Sequence, residues 1–238
     1  MNVLTTIAAE NQTKRGWKLE LNGEPVENVS GLRLHNDRFG TLEYGATPAG
    51  YDSWCFEEVG GGGSVIVPYF VDPSGMIYIG LVTQDRYTMG GKVENLPRGF
   101  LKGEETHFQA AQREADEEFR FNLADRFSEL FPQTPTNWNS AFAVTLEPDK
   151  GVRFFALRVN FDEVKPIEQE GGVYQFRDDV LKPASKTGEL IFGSRFMPLL
   201  HALASRDMFT RTGVASLLPT VVDFRTVRGV VRPTLTRI

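Results

Sequence analysis

The chain has 238 residues, of which 41% are hydrophobic, enough for a real core in one large domain or in a domain with an appendage. A formal net charge of −5 argues against a general nucleic-acid-binding surface but allows a local basic pocket for phosphates. The single cysteine, Cys55, excludes an intrachain disulfide and fits a reducing cytoplasm. With no signal-peptide pattern and no apolar run long enough to span a membrane, we expect a cytoplasmic protein without a membrane partner.

Residues 1–59 predict a small antiparallel β-subdomain. The first 14 residues or so are polar, and we expect partial disorder there. Short strand-like segments follow at 17–21, 31–35, 40–44 and 53–59. The tetraglycine at 60–63 then indicates a flexible joint, after which we expect a second domain over residues 60–206.

The second domain opens with a predicted hairpin. Apolar residues 64–71 and 76–82 flank the turn sequence Asp72-Pro-Ser-Gly. Gln84 and Arg86 follow the second strand, and Leu96-Pro-Arg98-Gly comes ten residues later. Arg86 is a candidate diphosphate clamp because a guanidinium group pairs with phosphate oxygens in a bidentate fashion. The alternative is a surface arginine at a strand end, and the sequence favours neither.

The stretch from Gly99 to Phe121 predicts a helix with a fixed pattern of polar residues. Thr106 and Gln109 fit a capping box, so the helix is expected to begin there. An apolar stripe at helical spacing is expected to face the core, and it consists of Phe108, Ala111, Ala115 and Phe119.

Three glutamates share an adjacent face of this helix. Glu114, Glu117 and Glu118 stand at i, i+3 and i+4, and like charges at that spacing each cost the helix about 0.2–0.5 kcal/mol. A cation would offset this repulsion, and oxygen-only ligands suit Mg²⁺ or Mn²⁺ better than zinc. Arg113 is placed to orient or screen the carboxylates.

The alternative interpretation is a solvated acidic helix. The fixed spacing argues against it. The pattern is G-x5-E-x7-R-E-x2-E-E, with Glu105 as its first glutamate. It arises by chance about 10⁻⁷ times per start position, given ordinary residue usage.

This pattern resembles the Nudix box of the Nudix hydrolases. Arg120 stands where the box normally has glycine, a position at which the chain leaves the helix with positive φ. Because arginine adopts that conformation only at a cost, we expect the helix to run on or to end differently.

A wider resemblance is to the ADP-ribose pyrophosphatase branch, which carries Q-x-R after the second core strand and E-L-P-x-G before the box. Gln84 and Arg86 match the first motif. Residues 96–99 match the second, but Asn95 replaces its glutamate and Glu94 lies one residue earlier.

Downstream of the box, the pattern predicts a connecting segment over 123–137 and a hairpin formed by 138–146 and 152–161. The acidic stretch Glu168-Gln-Glu170 resembles the Glu-x-Glu of the catalytic loop in the same branch. The alternative for this stretch is a solvated acidic loop. A closing helix is predicted over 187–206, and residues 207–238 form a C-terminal extension whose sequence gives no functional signal.

The resemblance implies an α/β fold, a Nudix-type α/β/α sandwich with a mixed sheet plus the small N-terminal β-subdomain. It implies Mg²⁺ or Mn²⁺ as cofactor and a homodimer that exchanges its N-terminal subdomains. Glu168 would act as general base, with Arg113 as a second catalytic residue and Arg86 as a substrate contact. The implied metal ligands are the Arg98 backbone carbonyl, Glu114, Glu117, Glu118 and Glu170.

The implied reaction is hydrolysis of a nucleoside diphosphate linked to another group, with ADP-ribose giving AMP and ribose 5-phosphate. A nucleoside diphosphate sugar is the rival substrate. A Nudix-fold module that senses a nucleotide without cleaving it is the alternative from a different class. Such modules usually lack box carboxylates, and this chain keeps all of them.

Overall fold

The computed structural model describes eleven stretches of the chain. The described residues are 20–21, 24–25, 32–37, 40–46, 52–58, 62–86, 90–121, 124–130, 151–183, 191–227 and 230–235. They fall into two compact units, one with the described residues up to Gly62 and Gly151, and one with the rest. The predicted N-terminal disorder and the predicted strand at 138–146 lie outside the described residues. No described helix has the length and apolar character needed to cross a membrane.

The N-terminal unit is an antiparallel β-structure, as predicted. Two short strands, β1 (Glu20–Leu21) and β2 (Glu24–Pro25), pair with each other. The next three strands form a second antiparallel sheet in chain order, and they are β3 (Leu32–Asn36), β4 (Gly40–Ala46) and β5 (Asp52–Glu58).

The second unit is built on one mixed sheet. Its strands are β6 (Gly62–Val71), β7 (Ile77–Arg86), β8 (Gly91–Asn95), β9 (Arg98–Phe100), β10 (Phe127–Leu130), β11 (Gly151–Arg158), β12 (Val164–Pro166), β13 (Tyr174–Phe176) and β14 (Ile191–Pro198). The order across the sheet is β10-β11-β6-β7-β14-β13-β12, with β8 paired to β7 and β9 paired to β6.

Strands β6 and β7 are the predicted hairpin. The Asp72 carboxylate closes its turn by accepting hydrogen bonds from the backbone N–H groups of Ser74 and Met76. The hairpin begins earlier than expected, because Gly62 and Gly63 are buried residues of β6. The prediction of a flexible joint is therefore wrong for these two glycines, while Gly60 and Gly61 lie outside the described residues.

Helices cover both faces of the sheet. They are α1 (His107–Glu114), the π-helical turn at Ala115–Phe119, α2 (Leu199–Leu203) and α3 (Met208–Val221). Ile66 and Phe70 join Phe119 in one core cluster. Val67 points the other way, since side chains alternate along a strand, and it lies against Gly213 of α3. The fold class is therefore α/β, with the sheet between helices, as predicted.

The box helix begins as its sequence predicted. The Thr106 side chain accepts from the Gln109 N–H, and the Gln109 side chain accepts from the Thr106 N–H, so both halves of the capping box are formed. Ala111, Ala115 and Phe119 are buried, as expected for the apolar stripe. Phe108 is 40% exposed instead, and its ring makes T-shaped contacts with Phe155 and with Phe127 on β10.

The box helix ends at Arg120, the arginine that stands at the usual glycine position. Arg120 adopts φ 56° and ψ 25°, so it leaves the helix in the left-handed conformation that the box glycine normally takes. The expectation that the helix would run on or end differently is wrong. Two hydrogen bonds join Arg120 to Lys182, one from its Nε to the Lys182 carbonyl at 2.7 Å and one from the Lys182 N–H to its carbonyl at 2.9 Å. These bonds offset the backbone cost.

We expect the glycine variant at this position to be more stable than the alanine variant. Arg120→Gly and Arg120→Ala both lose the side-chain bond to Lys182, but only alanine keeps a Cβ in a left-handed conformation that costs about 1–2 kcal/mol. Urea unfolding of the two variants measures the difference in the free energy of unfolding. Equal stability would show that this residue does not hold a left-handed conformation in solution.

Two predictions for the second half of the chain are wrong. Residues 191–198 form strand β14, and among the described residues of the predicted closing helix, 191–206, only 199–203 are helical. The register of β14 against β7 shifts between Ile191 and Ser194, which breaks the period-2 alternation by which a strand is recognised. The predicted connecting segment also contains β10, which pairs with β11.

The C-terminal extension is structured. Helix α3 is followed by β15 (Val222–Val227) and β16 (Val230–Leu235), which pair as an antiparallel hairpin. The helix buries one side chiefly through Val214, Leu217 and Val221, none of which is measurably exposed. The extension therefore belongs to the packing of the second unit.

Candidate active site

Glu114 lies against the backbone that leads into the helix. Its side chain is nearly buried, and a Cβ atom on Gly99 would overlap its carboxylate. An added Cβ at Gly99 would therefore displace the Glu114 carboxylate from this position. Burial raises the pKa of Glu114, and the opposing charge and hydrogen bond of Arg113 do not cancel that effect.

Arg113 connects four oxygen-bearing groups. It forms a bidentate pair with Glu105, with both N–O distances at 2.9 Å, and it also donates to Glu114. It further reaches the Glu117 carboxylate at 3.2 Å and the Phe100 carbonyl at 2.9 Å. Burial disfavours the Glu105 carboxylate, but Arg113 outweighs it and lowers the pKa of Glu105. One guanidinium group thus orients three of the motif's glutamates.

Glu118 connects the helix to β7 and β9. Its Oε1 accepts from the Gln84 side-chain amide at 2.5 Å, and its Oε2 accepts from the backbone N–H of Arg98 at 3.1 Å. Arg86 in turn donates to the Gln84 carbonyl oxygen at 2.5 Å and lies 3.5 Å from the Asn95 side-chain oxygen. The predicted substrate contact is therefore linked to the box through Gln84, and its Nε is buried with no partner among the described residues.

Asn95 and its neighbour Glu94 lie on opposite faces of the sheet. Asn95 pairs with Val82 of β7 and is 1% exposed on the box-helix side. Glu94 points to the other side, because a shift of one residue along a strand reverses the direction of the side chain. Glu94 therefore cannot substitute for the glutamate that the related motif carries at position 95.

On that other side lies a cavity of about 700 Å³. Glu94 accepts from His201 at 2.9 Å and lies 3.4 Å from Arg195 of β14. Lys92 and Arg206 also line this space, so its polar lining is mainly cationic although the protein carries a net charge of −5. Local positive charge in a low-dielectric cleft attracts anionic ligands.

The two glutamates of the predicted catalytic loop lie between β12 and β13. Both Glu168 and Glu170 are exposed. Glu170 accepts from Arg195 at 2.5 Å, which places its carboxylate with the cationic cavity, since Arg195 pairs with Leu81 on that side of β7. In this arrangement the contact of Glu170 is with Arg195, and no hydrogen bond joins it to the box glutamates.

The described residues contain no group of three acidic, histidine or cysteine side chains that already converges on a metal position. The donor type nevertheless fits Mg²⁺, because the site offers carboxylate and backbone oxygens. Glu114 and Glu118 are both 5% exposed on the same helix, a burial of like charge that a divalent cation would offset. The residues that would hold it are those that the box motif implied.

Several contacts of the site have no counterpart in the sequence prediction. The sequence places Gln84 in a motif, and the structure shows that its amide donates directly to Glu118. Asp207 and Thr210 contact the segment before the box from more than 100 residues away. Their signal was the N-cap pattern of an aspartate before an apolar helix, and the misplaced helix at 187–206 hid it.

Neither the family models nor the curated protein sequences give a match to this chain. Among solved structures, an ADP compounds hydrolase shares 9% identity over 81% of this chain and 92% of its own, with a TM-score of 0.47. An Ap4A hydrolase from C. elegans shares 16% over 67% and 96%, with a TM-score of 0.38. A Nudix hydrolase from M. smegmatis shares 13% over 74% and 94%, with a TM-score of 0.40.

These likenesses are distant, and the functional interpretation depends instead on particular residues. Gly99 lies against Glu114, Glu105 pairs with Arg113, and Glu118 binds the amide of Arg98. In the residue types and spacing of its box, this chain resembles the Nudix hydrolases.

Proposed function

We propose that the protein is a metal-dependent hydrolase of the diphosphate bond in nucleoside diphosphate derivatives. The observation that carries this proposal is that the spaced residues of the box meet in space. The polar members of the motif contact one another or the segment before the helix, through Arg113 and through Glu118. A merely solvated acidic helix would not bury two of its glutamates or place one of them against a glycine.

Glu114, Glu117, Glu118 and the Arg98 carbonyl would hold the metal ions, and Glu170 would join them on giving up its ion pair with Arg195. Mg²⁺, when bound, supplies positive charge to the diphosphate oxygens and lowers the pKa of a water molecule. Glu168 would accept the proton of the attacking water as the general base. Arg113 keeps the carboxylates oriented, and Arg86 pairs with a phosphate group of the substrate.

The cationic cavity supports a substrate larger than inorganic diphosphate. Its volume of about 700 Å³ falls in the range of small-molecule sites, roughly 300–1,000 Å³. Because it lies on the face of the sheet away from the box glutamates, we propose that it takes a polar part of the substrate outside the diphosphate that is cleaved, with Arg195 as the central contact. ADP-ribose is the preferred candidate because the Q-x-R residues and the segment 96–99 match that branch, and a nucleoside diphosphate sugar is the alternative.

The test is a panel of nucleoside diphosphate derivatives incubated with Mg²⁺. Phosphate released after coupling to a phosphatase measures cleavage, because the phosphatase acts only on the monoester products. ADP-ribose is expected to give the highest kcat/KM in the panel. If no derivative is cleaved above the rate without protein, the proposed hydrolase activity is wrong.

We also propose that the chain acts as a homodimer. The proposal rests on the resemblance and on the small size of the N-terminal β-structure, since short isolated sheets are marginally stable. Multi-angle light scattering at micromolar concentration is expected to give the mass of two chains of 26.7 kDa each. A mass of one chain across that concentration range would contradict it.

A further inference from the structure

The N-terminus of α3 is tied to the segment that precedes the box. Asp207 is the N-cap of this helix, and its Oδ2 accepts from the Thr210 N–H at 2.9 Å. The same oxygen accepts from the Arg98 guanidinium at 2.7 Å. The Thr210 hydroxyl donates to that carboxylate and accepts from the backbone N–H of Leu96 at 3.0 Å. Leu96 and Arg98 are therefore both held by one turn of α3.

This tie is buried. The Asp207 side chain is 6% exposed and that of Arg98 is 18% exposed, while Thr210 is fully buried. Burial opposes the charge on Asp207, but the hydrogen bonds from Arg98 and Thr210 outweigh it and hold the pKa of Asp207 below its ordinary value. Removing one partner of such a buried pair would leave the other charge uncompensated inside the fold. The Arg98 guanidinium also lies 4.5 Å from the centre of the Phe209 ring, a second contact that holds the Arg98 side chain against α3.

The segment 96–98 also contacts the box helix and the sheet. The backbone N–H of Arg98 donates to Glu118, and the Pro97 carbonyl accepts from the Ile66 N–H of the sheet. Helix α3 therefore contacts this segment through the Leu96 backbone and the Arg98 side chain. The box helix contacts it through the Arg98 backbone. A displacement of this segment by a fraction of an ångström would change where the Arg98 backbone lies relative to Glu118.

We propose that Asp207 and Thr210 are positioning residues for the metal site. They hold residues 96–98 so that the Arg98 backbone stays in register with the Glu118 carboxylate. This inference rests on the proposed function, because it assumes that Glu118 and the Arg98 carbonyl serve a divalent cation. It assigns the C-terminal extension a role that packing alone does not require.

The experiment uses Mn²⁺ binding to the full chain, measured from the electron paramagnetic resonance signal of free Mn²⁺ without substrate. Asp207→Asn keeps a good N-cap but removes the charge that pairs with Arg98. Thr210→Val keeps the shape of the side chain but removes the hydroxyl. Each is expected to weaken Mn²⁺ binding at least threefold and to raise the exchange rate of the Arg98 amide proton, read by nuclear magnetic resonance.

Two control variants separate positioning from stability. Val221→Ala removes buried volume at the far end of the same helix, and it is expected to lower the unfolding temperature without changing Mn²⁺ affinity. Thr210→Ser keeps the hydroxyl and is expected to stay within threefold of the natural affinity. If either test variant binds Mn²⁺ like the natural chain, or if Val221→Ala weakens binding as much, the inference is wrong.

The outcomes also distinguish this inference from the proposed function. If the test variants lose Mn²⁺ affinity but the natural chain cleaves no diphosphate derivative, the positioning role stands and the proposed reaction fails. If the natural chain cleaves a substrate and the variants keep their Mn²⁺ affinity, the proposed reaction stands and the positioning role fails. A natural chain that binds no Mn²⁺ at millimolar concentration overturns the positioning role together with the metal site.

Discussion

Replacing Glu168 by glutamine is expected to lower kcat by about 10²–10⁴, with a smaller change in KM, because a general base acts mainly in the transition state. Glutamine keeps the size of the side chain but does not accept the proton from water. Since Glu168 is exposed, the free energy of unfolding should change by no more than about 0.5 kcal/mol. Steady-state kinetics with saturating Mg²⁺ measures the effect.

The neighbouring glutamate gives the internal comparison. Glu170→Gln is expected to raise the Mg²⁺ concentration needed for half-maximal activity, since the proposal makes Glu170 a metal ligand. Asp179 is an exposed aspartate downstream of this loop, and Asp179→Asn should change neither kcat nor the Mg²⁺ concentration for half-maximal activity. If Glu168→Gln and Glu170→Gln are both silent, the loop is only a solvated acidic segment, and if their effects are exchanged, their roles are reversed.

Glu118→Gln is expected to lower turnover at least about a hundredfold, because it removes a charged ligand from a multi-metal site. The structure adds a second consequence. Both Glu118 oxygens accept hydrogen bonds, from Gln84 and from the Arg98 N–H, and an amide offers only one acceptor. One donor is left unsatisfied, at a cost to stability of about 1–3 kcal/mol. The variant should therefore fold but unfold at a lower temperature.

The matched control is Glu129→Gln. Glu129 is a partly buried glutamate of the same unit, 3.6 Å from Arg153 on the neighbouring strand, and it has no part in the proposed site. Turnover of this variant should stay within about threefold of the natural chain, as for changes away from a functional feature. A Glu118→Gln protein with natural turnover would remove the box helix from the proposed site.

The local part of the site could be predicted from the sequence. The capping box, the helix that follows it and the grouping of the glutamates all depend on residues within about 20 positions, where helical spacing decides which side chains meet. The β6–β7 hairpin was predictable for the same reason, because its turn residues stand between two apolar runs. In each case neighbours in the chain determine neighbours in space.

The rest depends on contacts that no local pattern carries. The register shift between Ile191 and Ser194 masked the strand pattern of β14, and the helix predicted there instead obscured the N-cap at Asp207. The strand register that turns Glu94 away from the box, and the pairing of Glu170 with Arg195, arise only when the sheet is assembled. The sequence shows that Arg120 departs from the motif, but it does not predict the hydrogen bonds to Lys182 that accommodate this residue.

The bonds from α3 to the segment before the box also bear on how the protein is synthesised. Leu96 and Thr210 are separated by 114 positions in the chain, and Arg98 and Asp207 by 109. A ribosome that adds about 5–20 residues per second needs roughly 5–20 s to cover that distance. The box and its preceding segment therefore emerge well before their last partners. A message that stops before residue 207 would encode every proposed ligand and still lack the residues that hold the segment in place.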